Sequence, residues 1–374
     1  MNSKLANLLK NGGLFFILLA LTAYMILKDT SPAELAQAVK GANPAYLAGG
    51  IFAMCLFLFC EGVNLIRALR FFGQRKISLC QGVKYALAGF FGSSVTPSAS
   101  GGQPLQLYFM HKDGHRLSHG TLALLLELLS FQTVTITLAI FGFFYQHRTI
   151  SEAMGKLQYL LLIGTLLNAV VLAILFCAVF SGKMVHRLAG FVVKSVQMFS
   201  LAKAESLREK LSEQIEEYSA AAVYLKENRS MFAKTLLTTF VQILAMYAVP
   251  YLVYKSFGLD SYTMSQVISL QAVLYVAVSA LPLPGALGVS ESGFMMLFST
   301  LFPASLLPSA MVLSRGISFY LFVLISGLAT AFFTIYQKGR TNDLQHFNCR
   351  RRSGHCPASE ALSGKQRISD RCRI

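Results

Sequence analysis

The stretches SSVTPSASGGQP, residues 93–104, and SALPLPGALGVSE, residues 279–291, interrupt two apolar segments with proline and glycine. In a bilayer, every backbone N–H and C=O must find a partner. A broken helix survives there only when protein or a water-filled cavity surrounds the break. Two such breaks at corresponding places in the two halves of a chain point to the binding site of an inverted-repeat transporter. The two breaks therefore lead to an expectation of something carried across a membrane, with the site between them.

Composition places the breaks in lipid. Apolar residues make up 54% of the 374 positions and charged residues 13%, against about 25% charged in an average soluble domain. The net charge of +16 would suggest nucleic acid in a soluble chain; here its placement speaks of topology. Segments of about 20 apolar residues can span, and 12–28, 44–66, 118–145, 157–181, 231–257 and 308–337 qualify. The interrupted regions are 79–111 and 262–303.

Basic residues mark the cytoplasmic side. Arg67, Arg70, Arg75 and Lys76 precede the first broken region, eight Lys/Arg lie in 182–230, and nine lie in 338–374. Segments 28–43 and 146–156 carry two each. Region 79–111 must then begin and end in the cytoplasm, and region 262–303 must begin and end outside. The expected fold is an all-α polytopic membrane protein with about six full spans. Two opposed re-entrant hairpins, or closely spaced span pairs, form an inverted repeat within it, and both termini are cytoplasmic. Residues 1–337 make the integral membrane domain. Residues 182–230, with Leu201, Leu207, Leu211 and Ile215 at helical spacing, form an amphipathic connector between the halves. Residues 338–374 form a basic, disordered tail, and no soluble catalytic domain is expected after the last span.

Ionisable side chains inside spans are costly and serve as functional candidates. Glu127, Glu291, Arg315 and Glu61 stand out. Glu291 and Arg315 suit a buried pair that fastens the second hairpin to the last span. Glu127 can bond Ser130 or a neighbouring helix, and Glu61 lies close to Arg67. At the breaks, Ser98, Ser100, Gly101 and Gly102 are expected to leave N–H groups unpaired, and Gly285 to Gly288 to do the same. Such donors at a helix start suit a phosphate, although small residues also permit tight helix packing. No phosphate-binding G-x-x-x-x-G-K-[ST] loop is present. The cysteine spacings fit no zinc pattern, so neither metal nor cofactor is expected.

Read together, SVTPSASGGQPLQLYFM, LLLELLSFQTV, PGALGVSESGF and SRGISFYLFVLISG resemble, in order, motifs of the membrane region of the lysylphosphatidylglycerol synthase/flippase family (the multiple peptide resistance factor). The resemblance covers roughly residues 10–337. It implies translocation of a charged-headgroup lipid, lysyl- or another aminoacyl-phosphatidylglycerol, from the inner to the outer leaflet of the cell membrane, with protection against cationic peptides. It carries substrate-binding roles to Pro97, Gly101, Gly102, Glu127, Gly285, Gly288, Glu291 and Arg315. The sequence departs from the family at Gln106 and Leu128, where arginine is usual, so a phosphate contact expected at 106 is gone. The synthase domain of full-length members is not matched, so no catalytic residue is assigned. The implied partner is an anionic or aminoacylated phospholipid in the membrane; a separate synthase and a homodimer stay open. Two other readings also stand: a membrane component of a lipid lysyltransferase, and an ion-coupled small-solute transporter.

Overall fold

A computed structural model describes residues 40–72, 77–154, 158–180, 228–279 and 283–335, together with residue 33. The expected span 12–28, the tail 338–374 and nearly all of the connector 182–230 lie outside these residues. The chain divides into two units, Met1–Gly327 and Leu328–Ile374. In the second unit the described residues, 328–335, are helical. The packing below belongs to the first.

All regular structure among the described residues is helical. Helix α1 is Pro44–Phe71. It starts where the Asn43 side chain accepts the N–H of Ala45 and a proline takes the first position, where its missing N–H costs nothing. Helix α2 is Leu79–Val95, opened by Ser78 and Gln81 in a reciprocal capping box. A 3-10 turn at Pro97–Ala99 leads into α3, Gly102–Lys112. Helix α4 is Leu117–Tyr145, α5 is His147–Met154 and α6 is Gln158–Phe180. Helices α7, Arg229–Tyr247, and α8, Val249–Ser256, together form one span. Helix α9 is Met264–Ser279; a second 3-10 turn at Pro284–Ala286 leads into α10, Val289–Leu297. Helix α11, Leu307–Ile335, contains a π-turn at Gly316–Tyr320.

Four described helices are long and apolar enough to cross a membrane: α1 and α4, of 28 and 29 residues, and the α7–α8 span and α11, again of 28 and 29. Each pair brackets a hairpin, α2–α3 in the first case and α9–α10 in the second. The order helix, hairpin, helix is thus written twice.

Named contacts give the hairpins' directions. Gly62 meets Gly82 and Phe57 meets Phe90, so α2 runs against α1. Asn64 meets Thr239 and Gly50 meets Val249, so the α7–α8 span also runs against α1. Tyr254 packs on Tyr262 and Tyr247 on Tyr275, so α9 runs back along that span. Helix α9 is therefore parallel to α1 and opposed to α2. The two hairpins enter from opposite directions.

Within lipid, helices gain little from burying apolar surface against one another, so small residues that allow close approach carry the association. The α1–α2 crossing shows this. A Cβ on Gly82 would stand 2.6 Å from the Gly62 carbonyl oxygen, and one on Gly62 would stand 2.8 Å from the Gly82 carbonyl carbon. Gly82→Val is expected to push the first hairpin off α1, seen as a lower melting temperature of the purified protein in detergent. An unchanged melting temperature would refute the tight crossing. A larger apolar core joins α1 to α8, α9, α10 and the start of α11, with Met54, Val253, Leu270, Leu297 and Ala310 all buried. Phe294 and Phe298 stack inside it at 4.2 Å. Helix α6 instead presents Ile163, Leu166, Leu167 and Val170 outward, as a lipid-facing surface must.

Candidate functional site

The two 3-10 turns pack against each other. They share three of five residues, at the same places: Pro97-Ser98-Ala99-Ser100-Gly101 and Pro284-Gly285-Ala286-Leu287-Gly288. Their second and third residues also share a conformation. Ser98 and Ala99 have φ of 52° and 55°, and Gly285 and Ala286 have φ of 58° and 50°. Two successive residues in the left-handed region are rare for side chains with a Cβ, and such strain concentrates at functional sites. The repeated Pro-x-Ala-x-Gly pattern was present in the sequence as a signal of equivalence at single-residue level.

The first turn is open. Ser98, Ala99 and Ser100 are exposed, although turn 97–99 touches the second turn and follows a buried stretch of α2. The expectation of free N–H groups holds only in part. Ser100 donates its N–H to the Pro97 carbonyl, and Gly101 donates to Thr96 Oγ1 at 2.7 Å. Ala286 and Leu287 donate to the carbonyls of Leu283 and Pro284, and Gly288 donates to Glu291 Oε2 at 2.6 Å. Gly101 and Gly102 serve the hairpin's closure: a Cβ on either would collide with Thr96 or Ser93. The N–H groups left without an intrahelical partner are those of the first turns of α3 and α10.

The second turn carries the charge. Arg315 Nε donates to Glu291 Oε1 at 2.7 Å, and its terminal nitrogen donates to the Gly285 carbonyl at 3.0 Å. Tyr320 donates its hydroxyl to the same Glu291 oxygen at 3.1 Å. The guanidinium lies over the Phe319 ring, 4.4 Å from its centre. The expected Glu291–Arg315 pair is thus present, and it ties α10, the turn and α11 together. Two of the five guanidinium N–H groups are occupied by these bonds, which leaves donors over for a ligand. Tyr320 and Phe319 were not singled out in the sequence; their signal was their spacing of four and five residues from Arg315, on the same helix.

Glu127 does not join this group. It makes no hydrogen bond or ion pair among the described residues, and Ser130 turns instead to the Leu126 carbonyl. Its charge acts on Glu61 and on Tyr275. Glu61 was expected beside Arg67. Arg67 bonds Asn64, Thr238 and the Lys234 carbonyl, while Glu61 accepts from Gln106 at 2.7 Å. Gln106, at the position where a phosphate contact was counted as lost, is buried against Glu61 and Gly89.

At the base of the first hairpin, Asp113 takes Lys84 and the Tyr85 hydroxyl, and His115 Nε2 lies 3.1 Å from that hydroxyl. Burial and the nearby Lys84 hold the His115 imidazole below the usual histidine value, against the opposing pull of Asp113. Among the described residues no group of three or more His, Cys, Asp or Glu is placed to hold a metal ion.

Two facing broken hairpins, bracketed by long apolar helices and tied by an arginine–carboxylate pair, define a helical membrane protein whose candidate site lies at its two breaks. The chain belongs to the family of the lysylphosphatidylglycerol synthase TM region, whose description matches residues 12–326. It is also similar to a UPF0104 membrane protein of Archaeoglobus fulgidus, 24% identical over an aligned length of 333 residues that covers 87% of this chain and 98% of that protein.

Proposed function

We propose that this protein translocates a lipid with a charged headgroup between the leaflets of the cell membrane, through the point where the two turns meet. The observation that carries this reading is the contact between two similarly strained turns from opposed hairpins, one exposed and one bonded by Arg315. A headgroup phosphate would be held by the free donors of Arg315 and by the first N–H groups of α3 and α10, where helix dipoles favour an anion. Pro97 and Pro284 shape the turns, Gly285 and Gly288 let the second turn reach Arg315, and acyl chains remain in hydrocarbon. The family description favours lysyl-phosphatidylglycerol or another aminoacylated phosphatidylglycerol as cargo. Display of that lipid outside lowers surface negative charge, and with it the binding of cationic peptides.

The test uses proteoliposomes carrying acyl-chain-labelled lysyl-phosphatidylglycerol, phosphatidylglycerol or phosphatidylcholine. A membrane-impermeant quencher reports how fast label reaches the outer leaflet. Lysyl-phosphatidylglycerol is expected to exchange at least about tenfold faster than in protein-free vesicles, which corresponds to about 1.4 kcal/mol off the barrier. Equal rates with and without protein for all three lipids would overturn the proposal.

A further inference from the structure

A second polar group lies away from the turns, where α1, α3, α4, α7 and α9 converge. Glu61 and Glu127 are 9% and 8% exposed, and each lies within electrostatic reach of the other. Neither forms an ion pair among the described residues; Lys84–Asp113, Lys255–Asp260 and Arg315–Glu291 are pairs formed elsewhere. From α3, Gln106 donates to Glu61. From α9, Tyr275 feels both carboxyls and packs on Tyr247 of α7. Beside Glu61 on α1, Cys60 interacts with Arg67, whose hydrogen bonds all go elsewhere. On the described part of α6, Asn168 is taken by Gln132 and Ser279.

An independent observation points to a ligand here. Gln242 on α7 is 0% exposed, and both its amide oxygen and its amide nitrogen lack a partner. Such a group is costly to leave unmade. Thr239, one turn earlier on the same face, bonds Asn64 of antiparallel α1. Three residues forward from Thr239 is Gln242, and three residues back from Asn64 is Glu61, so the two stand level on facing helices. Two buried acids without an ion-pair partner among the described residues, of which only Glu61 is hydrogen-bonded, thus lie on helices next to one that carries a buried, unpartnered amide.

We propose that Glu61 and Glu127 form a proton-carrying pair that exchanges one proton against each cationic lipid moved. Two carboxylates in a low-dielectric interior repel, and a proton on one of them removes the repulsion. The proton is taken from water on one side, forms an O–H bond with a carboxylate oxygen, and leaves to water on the other side as that bond breaks; Gln106 donates to Glu61, and the unpartnered amide of Gln242 is free to bond the water that brings or takes the proton. The inference rests on the proposed lipid translocation and supplies its missing driving force. A net +1 headgroup moving outward against an inside-negative potential faces about 2.3 kcal/mol per 100 mV. Exchange for one inward proton moves no net charge and escapes that penalty. At 1:1 exchange, a pH difference of one unit, about 1.4 kcal/mol, sustains a tenfold difference of lipid between leaflets.

The experiment sets a one-unit pH gradient, then separately a tenfold sodium gradient, across the proteoliposomes described above. Wild-type protein is expected to drive labelled lysyl-phosphatidylglycerol toward the acidic side to about tenfold asymmetry. Glu127→Gln and Gln242→Leu are expected to abolish that asymmetry while eluting as folded protein. Asymmetry that survives Glu127→Gln undiminished, or that follows sodium and ignores pH, overturns the inference but leaves translocation standing. If no lipid moves under any gradient, the proposed function fails instead. Infrared spectroscopy of the purified protein then decides the proton site by itself. A protonated-carboxyl C=O band at neutral pH that disappears in the Glu61→Gln/Glu127→Gln double variant supports the pair. No such band in the wild type refutes it.

Discussion

Arg315→Ala is expected to abolish translocation and to destabilise the protein more than any other single change at the turns. Arginine and carboxylate are 15% and 5% exposed, so the pair is largely desolvated. Removing one partner of a buried pair costs about 3–5 kcal/mol, because the other charge is left without compensation. Glu291 would keep only the Gly288 N–H and the Tyr320 hydroxyl, and the Gly285 carbonyl would lose its donor. A fastening role and a ligand-binding role predict the same single-variant result, so the double variant Arg315→Ala/Glu291→Gln separates them. It removes both charges, and its melting temperature in detergent is expected to recover most of the loss. Its translocation rate is expected to stay at the protein-free level. A double variant that regains both stability and transport would reduce Arg315 to a fastener.

Gly285→Ala should be the most damaging of the conservative changes. A Cβ at 285 would stand 2.7 Å from Phe319 Cε2 and closer still to Cζ, with φ at +58°. Left-handed φ is not the larger penalty, since Ala286 next to it holds φ 50° with its Cβ in place. Collision with the ring dominates, and overpacking of this kind costs about 1–3 kcal/mol. Phe319 also lies beneath the guanidinium, so a displaced ring moves Arg315 off the turn. The melting temperature and the translocation rate are both expected to fall. Gly285→Ala/Phe319→Leu should restore the first by opening space. If the single variant melts and transports like wild type, the turn is looser than its geometry implies.

Much of the architecture could be read in advance because membrane physics leaves few choices. Proline and glycine inside apolar segments located both hairpin turns to within a few residues, since a helix cannot continue through them. Spans 44–66, 118–145, 231–257 and 308–337 fell on α1, α4, the α7–α8 span and α11, with shifts of a few residues at the ends. The Glu291–Arg315 pair was anticipated because two opposite charges in adjacent apolar segments have few other partners. Misreadings arose where register decides. Arg67 lies six residues from Glu61 on α1, and proximity in sequence suggested a shared role; helical rotation turns Arg67 toward α7 and Glu61 toward α3. Ser100, Gly101 and Gly288 were assigned free N–H groups, but Thr96 and Glu291 fold back to take two of them and the Pro97 carbonyl takes the third.

By itself, the sequence determined a helical membrane protein of repeated helix–hairpin–helix order, because hydrophobic length and helix-breaking residues act locally and leave their mark on the chain. Only the tertiary structure decided that the two turns touch, that Gln106 serves Glu61, and that Glu127 stands with Glu61 and not with Arg315. Those outcomes depend on how rigid helices rotate and slide against one another. That is set by close contacts such as Gly62 on Gly82, summed over partners far apart in sequence.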